Sequence, residues 1–115
     1  MQLRGQVVVV TGGGRGIGAA LARRFAREGA SGVYVVDRDE APARQIAAEY
    51  GGIPIVLDVA CESDVKAFVD SVFARFGRID LYCSNAGVKQ DGGLEASNAD
   101  WQRAWEINFL AHLYA

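Results

Sequence analysis

A glycine-rich run at residues 11–18 is the clearest sign of chemistry in this 115-residue chain. Glycine permits the tight turn and close backbone approach that a pyrophosphate needs, and free N–H groups at a helix N-terminus favour its negative charge. The spacing Thr-Gly-x-x-x-Gly-x-Gly matches Thr11, Gly12, Gly16 and Gly18, and a P-loop is excluded because no Gly-Lys-Ser/Thr follows. The run predicts a dinucleotide pyrophosphate site, with a ligand-free strand-to-helix turn as the alternative.

Asp37 lies at the end of the second β-branched segment, 19 residues after Gly18. A carboxylate at this place accepts hydrogen bonds from the adenosine ribose hydroxyls; a solvated acid or a helix N-cap is the alternative. It would repel a 2′-phosphate by about 4 kcal/mol at about 4 Å in an effective dielectric of about 20. An exposed Arg15 or Arg38 would attract that phosphate by only about 0–1 kcal/mol. The residues therefore predict NAD, with NADP less favoured.

Strands and helices in strict alternation must position these groups. Apolar, β-branched runs predict strands over 6–10, 33–36, 53–57 and 79–83. The expected helices are one from Ile17 that Gly29 closes, one over 40–50, one over 62–76, and a last one capped by Ser97 or Asn98. Residues 85–97 are expected to form a loop. Nearly all-apolar strands are typical of a parallel sheet covered on both faces, so we expect an α/β, Rossmann-type doubly wound sheet in the order 3-2-1-4.

The sequence contains one domain, residues 1–115, with no internal linker or repeat. The last predicted helix runs into Leu113, Tyr114 and Ala115 without a glycine or proline to end it. The sheet also lacks the second mononucleotide half that completes a dinucleotide fold. We therefore expect residues 1–115 to be the N-terminal part of a dinucleotide-binding domain, with the catalytic part outside this sequence.

Charge and composition narrow the classes of partner. A net charge of −2 gives no electrostatic reason to expect nucleic acid or an anionic membrane, and the longest apolar run, residues 7–10, is too short to cross a bilayer. Cys61 and Cys83 lack Cys-x-x-Cys spacing, so we expect free thiols in a reducing cytoplasm. The only histidine, His112, has no candidate ligands beside it, and no metal site is expected.

Two further motifs complete a pattern along the whole chain: Asp58-Val59 after the third strand and Asn85-Ala86-Gly87 after the fourth. With the glycine run, they make the chain resemble the short-chain dehydrogenase/reductase family. The resemblance implies a Rossmann fold, hydride transfer between NAD(P) and a small alcohol or ketone, and a homodimer or homotetramer. With Arg15 and Arg38 included, the expected cofactor-binding residues are Gly12, Arg15, Gly16, Ile17, Gly18, Asp37, Arg38, Asp58, Val59, Asn85, Ala86 and Gly87.

The resemblance also implies a role for each motif. The three motif glycines would hold the pyrophosphate, and Ile17 would pack near the nicotinamide. Asp58 would accept a hydrogen bond from the adenine amino group, and Val59 would stack beside the ring. Asn108 falls where the family has an asparagine that helps position a water-linked proton relay, a supporting catalytic role.

The motif at residues 85–87 would stabilise the sheet and line the cleft, although Ser84 stands where the family has a first asparagine. Simpler interpretations of these motifs stay open. Asp58 could cap the following turn, and residues 85–87 could be residue types that simply favour a turn. Asn108 could be a buried polar residue bonded to backbone.

The family's general acid/base tyrosine and its lysine partner have no counterpart in this sequence. None of the four tyrosines has a lysine four residues later, and the family's serine would follow on the next strand. We therefore expect the 115 residues by themselves to be inactive. The alternatives to the cofactor-binding part of an enzyme are a non-catalytic dinucleotide-binding module and a dimerisation module that uses the face of Trp101 and Trp105. Burial in the core is the commoner fate of such aromatic residues.

Overall fold

A four-stranded, fully parallel sheet lies at the centre of the chain. The computed structural model describes residues 1–115. The strands are β1 (Val7–Thr11), β2 (Gly32–Asp37), β3 (Ile53–Val56) and β4 (Leu81–Cys83), in the order β3-β2-β1-β4. Val9 of β1 pairs with Tyr34 of β2 on one side and Tyr82 of β4 on the other. The predicted fold class and strand order are confirmed.

The helices follow the strands in alternation and then continue beyond β4. They are α1 (Gly16–Arg27), α2 (Glu40–Ala48), α3 (Glu62–Phe76), a 3₁₀ turn (Gly93–Glu95), α4 (Asn98–Trp105), a π-helical segment (Glu106–Leu110) and α5 (Ala111–Tyr114). None of them is long and apolar enough to cross a lipid bilayer. The Ser97 hydroxyl accepts the Asp100 N–H at 3.1 Å, so Ser97 is the N-cap of α4.

Three expectations about the elements were wrong, and most of the other expected bounds shift by one or two residues, as in the second helix, which ends at Ala48 and not at residue 50. The loop expected over 85–97 contains the 3₁₀ turn, and the last helix is not one regular α-helix because the π-helical segment interrupts it. The fourth strand begins at Leu81 and not at residue 79. Just before it, the Asp80 carboxylate accepts the Val7 N–H at 2.7 Å, and the Asp80 N–H donates to the Val7 carbonyl at 2.9 Å. Side-chain and irregular hydrogen bonds of this kind leave no mark on apolar periodicity.

The side chains of the two central strands point alternately to the two faces of the sheet, and each face has its own hydrophobic core. Val8 and Val10, both 0% exposed, face α1 and α2, whereas Val7 and Val9 face α3. Successive strand side chains point to opposite faces, so the uninterrupted valine run of β1 serves both cores at once. This burial of the central strand fixes where its carboxyl end, and the glycine turn after it, must lie.

The turn after β1 requires glycine at two places. Gly12 has a φ of +63°, in the left-handed region. A Cβ on Gly18 would collide with the Gly12 carbonyl oxygen, so α1 can start directly against the turn only because Gly18 has no side chain. The close approach puts the N-terminus of α1 at the carboxyl edge of the sheet.

Tyr50, just beyond α2, offers a test of the packing on the α2 side. Its hydroxyl is buried without a hydrogen-bond partner, and this burial raises the pKa of Tyr50 to about 12. Because a buried unsatisfied hydroxyl costs free energy, Tyr50→Phe is expected to leave the free energy of unfolding unchanged or raise it by about 1 kcal/mol, measured by urea unfolding at neutral pH.

The same substitution has an expected pH dependence. Above pH 10 the unfolded chain releases the Tyr50 proton while the native state keeps it, so the wild type loses stability as the pH rises to about 12. The Phe variant lacks this loss, and its advantage is expected to grow across that window. A Phe variant less stable than the wild type at neutral pH would contradict the unpaired hydroxyl; Tyr114→Phe serves as the tyrosine control.

Candidate functional site

The turns after all four strands meet at one cleft at the carboxyl edge of the sheet. It has a volume of about 470 Å³ and lies where the strand order reverses, between β1 and β4. Every predicted cofactor residue lines it except Gly18, which is buried beneath the turn. The residues that line it without having been predicted are Asp39, Leu57, Val88, Arg103 and Ile107.

Thr11 joins β1 to the turn after β4. Its hydroxyl accepts the N–H groups of Asn85 at 3.0 Å and Ala86 at 3.1 Å and donates to the Cys83 carbonyl at 3.3 Å. The Asn85 amide donates to the Thr11 carbonyl at 3.1 Å. At 2% exposure, the Thr11 hydroxyl uses its donor and both acceptor positions. This network fixes the back wall of the cleft. The sequence motif contained Thr11, but no role was assigned to it.

The N-terminus of α1 presents free amides to the cleft. The first hydrogen bond of the helix runs from the Ala19 N–H to the Arg15 carbonyl at 3.1 Å, so the amides of Gly16, Ile17 and Gly18 have no acceptor within the helix. The first turn holds no acidic residue, and no side chain caps it. Unpaired donors at the positive end of a helix dipole suit an anion.

Backbone amides hold the Asp37 carboxylate at both oxygens. Oδ2 accepts the Gly14 N–H at 3.0 Å and Oδ1 accepts the Asp39 N–H at 3.1 Å. A Cβ on Gly14 would lie 2.8 Å from Oδ2, so glycine makes this approach possible. The N-cap of α2 is Asp39 and not Asp37, so the N-cap alternative for Asp37 was wrong.

The two arginines expected near the ribose differ in their surroundings. Arg15, whose side chain is 70% exposed, pairs with the Asp39 carboxylate at 2.9 Å. Arg38 is exposed at the rim and forms no ion pair in the structure. The Arg15–Asp39 pair bridges the glycine turn and the start of α2.

Asp58 holds two partners with its two carboxylate oxygens. Oδ1 accepts the Ala60 N–H at 3.0 Å, and Oδ2 accepts from the Arg103 guanidinium at 3.0 Å. Burial opposes ionisation, but these two hydrogen bonds and the positive charges of Arg103 and Arg38 outweigh it and lower the pKa of Asp58. The alternative interpretation of Asp58, a cap on the following turn, is therefore correct for its Oδ1 atom. Arg103 lies 45 residues away in sequence, and no sequence signal linked the two.

Asn108 ties the π-helical segment to the loop after β4. Its side chain accepts the Val88 N–H at 2.8 Å and donates to the Val88 carbonyl at 2.9 Å. The expected alternative of a backbone-bonded residue is met, although Asn108 is exposed and not buried. Asn108 does not line the cleft itself, but it fixes Val88, which does. Nearby, a hydrogen bond of 2.6 Å joins Ser84 and His112.

Comparisons with known proteins agree with this architecture. The family model described as short chain dehydrogenase matches residues 6–115. An L-fucose dehydrogenase from Bos taurus is 48% identical over 109 residues, 92% of this chain and 40% of the relative. A short chain aldehyde dehydrogenase from Euphorbia lathyris is 35% identical over 127 residues, 99% of this chain and 43% of the relative.

A solved structure also resembles the chain. The crystal structure of 3-ketoacyl-(acyl-carrier-protein) reductase from Brucella melitensis complexed with NADH matches with a TM-score of 0.90 and 34% identity, over 97% of this chain and 48% of that one. The chain spans less than half the length of each of these three proteins.

Substitution of Thr11 tests the hydrogen-bond network behind the cleft. Thr11→Val keeps the shape but removes the only acceptor of the Ala86 N–H, whereas the Asn85 N–H and the Cys83 carbonyl still have their mutual hydrogen bond of 2.9 Å. The free energy of unfolding is therefore expected to fall by about 1–3 kcal/mol. Thr11→Ser keeps the hydroxyl and loses only a methyl group, with an expected loss of about 1 kcal/mol. Urea unfolding measures both. Equal stabilities for the Val and Ser variants would show that the hydroxyl contributes nothing.

Proposed function

Because the chain belongs to the short-chain dehydrogenase/reductase family, we propose that its 115 residues are the cofactor-binding part of an NAD-dependent oxidoreductase acting on an alcohol or ketone. The observation that carries this proposal is the meeting of the glycine turn and Asp37, where the Gly14 N–H donates to the carboxylate at 3.0 Å. A pyrophosphate donor set and a ribose acceptor thereby lie side by side in one cleft. The names of the relatives, two dehydrogenases and a reductase solved with NADH, agree with it.

The residues present fit a dinucleotide. Unpaired amides at Gly16 and Ile17 would bind the pyrophosphate. Gly12 lets the turn after β1 lie against the turn after β4, since a Cβ there would lie 2.9 Å from the Ala86 Cα. As the family motifs imply, Asp58 and Val59 would bind the adenine. The motif at residues 85–87 would line the opposite wall of the cleft. When bound, the nicotinamide supplies the hydride acceptor or donor.

Asp37 supports a preference for NAD over NADP. Its carboxylate is fixed by two backbone amides, so it cannot turn away from a 2′-phosphate without losing both hydrogen bonds. Arg15 is held by Asp39 at 2.9 Å, so using it for a phosphate would first require breaking that pair. Arg38 remains as the free cation at this rim. A fixed acid outweighs one exposed arginine.

The chemical step requires groups that these 115 residues do not include. In members of the family, a serine orients the substrate, and a tyrosine with a lysine four residues later moves the proton. Here the catalytic contribution we propose is indirect: Asn108 holds the Val88 loop and helps to position a proton relay. We propose that the chain binds dinucleotide and that hydride transfer needs the family's Ser and Tyr-x-x-x-Lys.

Free thiols at Cys61 and Cys83 agree with a cytoplasmic location.

Calorimetry with variants of Asp37 tests the cofactor assignment. Asp37→Ala removes the ribose acceptor and the charge, so NAD affinity is expected to fall about tenfold or more while NADP affinity holds or rises. Asp37→Asn is the matched control, since its amide oxygen can still accept the Gly14 N–H; it is expected to lose discrimination against NADP with a smaller loss for NAD. An unchanged NAD-to-NADP ratio in both variants would contradict the role of Asp37.

A second role, as a homo-oligomer interface, is supported by the last helical segment. Trp101, Trp105, Phe109 and Leu113 recur every fourth residue and are 50%, 51%, 53% and 73% exposed. The Trp105 and Phe109 rings stack with centroids 4.3 Å apart. Core burial was the commoner expectation for the tryptophans, and the structure instead leaves them half exposed. We propose that this stripe joins copies of the protein in a homodimer or homotetramer.

Substitution within the stripe tests the assembly. Trp105→Glu places a charge in the middle of the apolar face and is expected to shift the protein towards monomer by at least tenfold in dissociation constant. Gln102→Glu, an exposed change of charge on the same helix, is the control and is expected to leave assembly unchanged. Sedimentation equilibrium measures both. A monomeric wild type, or identical assembly of the Trp105 variant, would contradict the interface.

A further inference from the structure

We propose that Arg103 is a positioning residue for the adenine end of the cofactor, because it fixes the Asp58 carboxylate that recognises the adenine amino group. The inference rests on the proposed function and extends it to a helix, α4, that no sequence motif connected with the cofactor. It assigns a specificity role to a side chain that touches Asp58.

The first support is the geometry of the ion pair. The Arg103 Nη1 atom lies 3.0 Å from Asp58 Oδ2, and both residues line the cleft. The side chains are only 33% and 41% exposed, which shields the pair more than the other cleft pair, where Arg15 is 70% exposed. A partly shielded ion pair with hydrogen-bond geometry orients its members, whereas exposed pairs contribute little.

The second support is that the carboxylate is held from both sides. Oδ1 is bound to the Ala60 N–H and Oδ2 to Arg103, so rotation of the carboxylate would break both bonds. A carboxylate oxygen has two lone pairs, so each oxygen keeps one acceptor position after these bonds. Asp58 therefore stands fixed and still able to accept from an exocyclic amino group, which has two N–H donors.

The third support is charge. Burial by itself favours protonated Asp58, and a protonated carboxyl group offers fewer acceptor positions to an amino group. The groups that face Asp58 are the guanidinium of Arg103 on α4, Arg38 in the turn after β2, and the Ala60 N–H; together they hold the pKa of Asp58 below its ordinary value. Arg103 is the one cation in hydrogen-bond contact with it.

The placement of Arg103 is itself anchored. The π-helical segment that follows α4 buries Ile107 to 4% exposure, and Asn108 makes two hydrogen bonds to the Val88 backbone. The helical segment therefore contacts the cleft at Asp58 on one side and at Val88 on the other. A change at Arg103 removes one contact and leaves this anchor intact.

The test compares NAD with nicotinamide hypoxanthine dinucleotide, which carries an oxo group in place of the adenine amino group. The protein is expected to bind NAD about tenfold or more tightly than the hypoxanthine analogue, since a carboxylate accepts from the amino group and repels the oxo group. Arg103→Met removes the guanidinium and keeps an apolar stem. It is expected to reduce NAD affinity about tenfold and the preference between the two dinucleotides to less than about threefold.

Two further variants sharpen the comparison. Arg103→Lys retains the charge without the planar donor group and is expected to recover part of the preference, which also covers the case of a Met variant that folds poorly. Arg44→Met breaks an ion pair with Glu40 outside the cleft and is the control for loss of one positive charge; it is expected to leave both affinities unchanged.

The pH dependence of NAD binding gives an independent readout. Without Arg103 the Asp58 pKa rises, so the carboxylate gains its proton at higher pH than in the wild type. NAD affinity of Arg103→Met is therefore expected to begin to fall at a higher pH on the acid side. A purely structural defect would lower NAD affinity without shifting the pH at which the affinity begins to fall.

Three results would overturn the inference. An unchanged dinucleotide preference in Arg103→Met, with NAD affinity also unchanged, would remove the role of Arg103 and leave the proposed function standing. An equal loss of affinity for both dinucleotides would show a structural effect only. A wild type that binds neither dinucleotide would overturn the proposed function and, with it, this inference.

Discussion

The close approach of backbone at the carboxyl end of β1 is the constraint on which the rest of the site depends. Gly12 lies against Ala86, Gly18 lies against the Gly12 carbonyl, and the Thr11 hydroxyl receives the amides of residues 85 and 86. Three chain segments therefore meet at distances that exclude side chains. Because β1 is the buried central strand, the core positions this meeting point and, with it, the N-terminus of α1.

The positive and negative side chains that line the cleft are equal in number, and most of them form ion pairs with one another. Three aspartates and three arginines line it, and two ion pairs join four of them, Arg15 with Asp39 and Arg103 with Asp58. Asp37 is held by backbone amides instead. Carboxylates fixed in this way offer acceptors at defined positions, which is what recognition of a ribose or an amino group needs. Fixing them before a ligand binds reduces the entropy lost on binding.

The helical segment after β4 connects the ends of the cleft. Arg103 in α4 reaches the turn after β3, and Asn108 in the π-helical segment reaches the loop after β4. A π-helical turn shifts the side chains that follow it around the helix axis, and such turns are frequent at functional sites. The same segment also carries the exposed aromatic stripe, so one segment borders both the cofactor cleft and the proposed interface.

The sequence by itself determined the α/β class, the strand order and which turns border the cleft, because β-branched runs, amphipathic spacing and glycine turns are local signals. It also indicated Asp37 and Asp58 by their places after strands. Only the tertiary structure decided that Thr11 joins two turns, that Arg103 meets Asp58 and that Asn108 holds Val88. These partners lie 20 to 75 residues apart, and a single polar residue carries no periodicity that would reveal its partner. Long-range polar contacts depend on how the layers pack, which a local pattern does not encode.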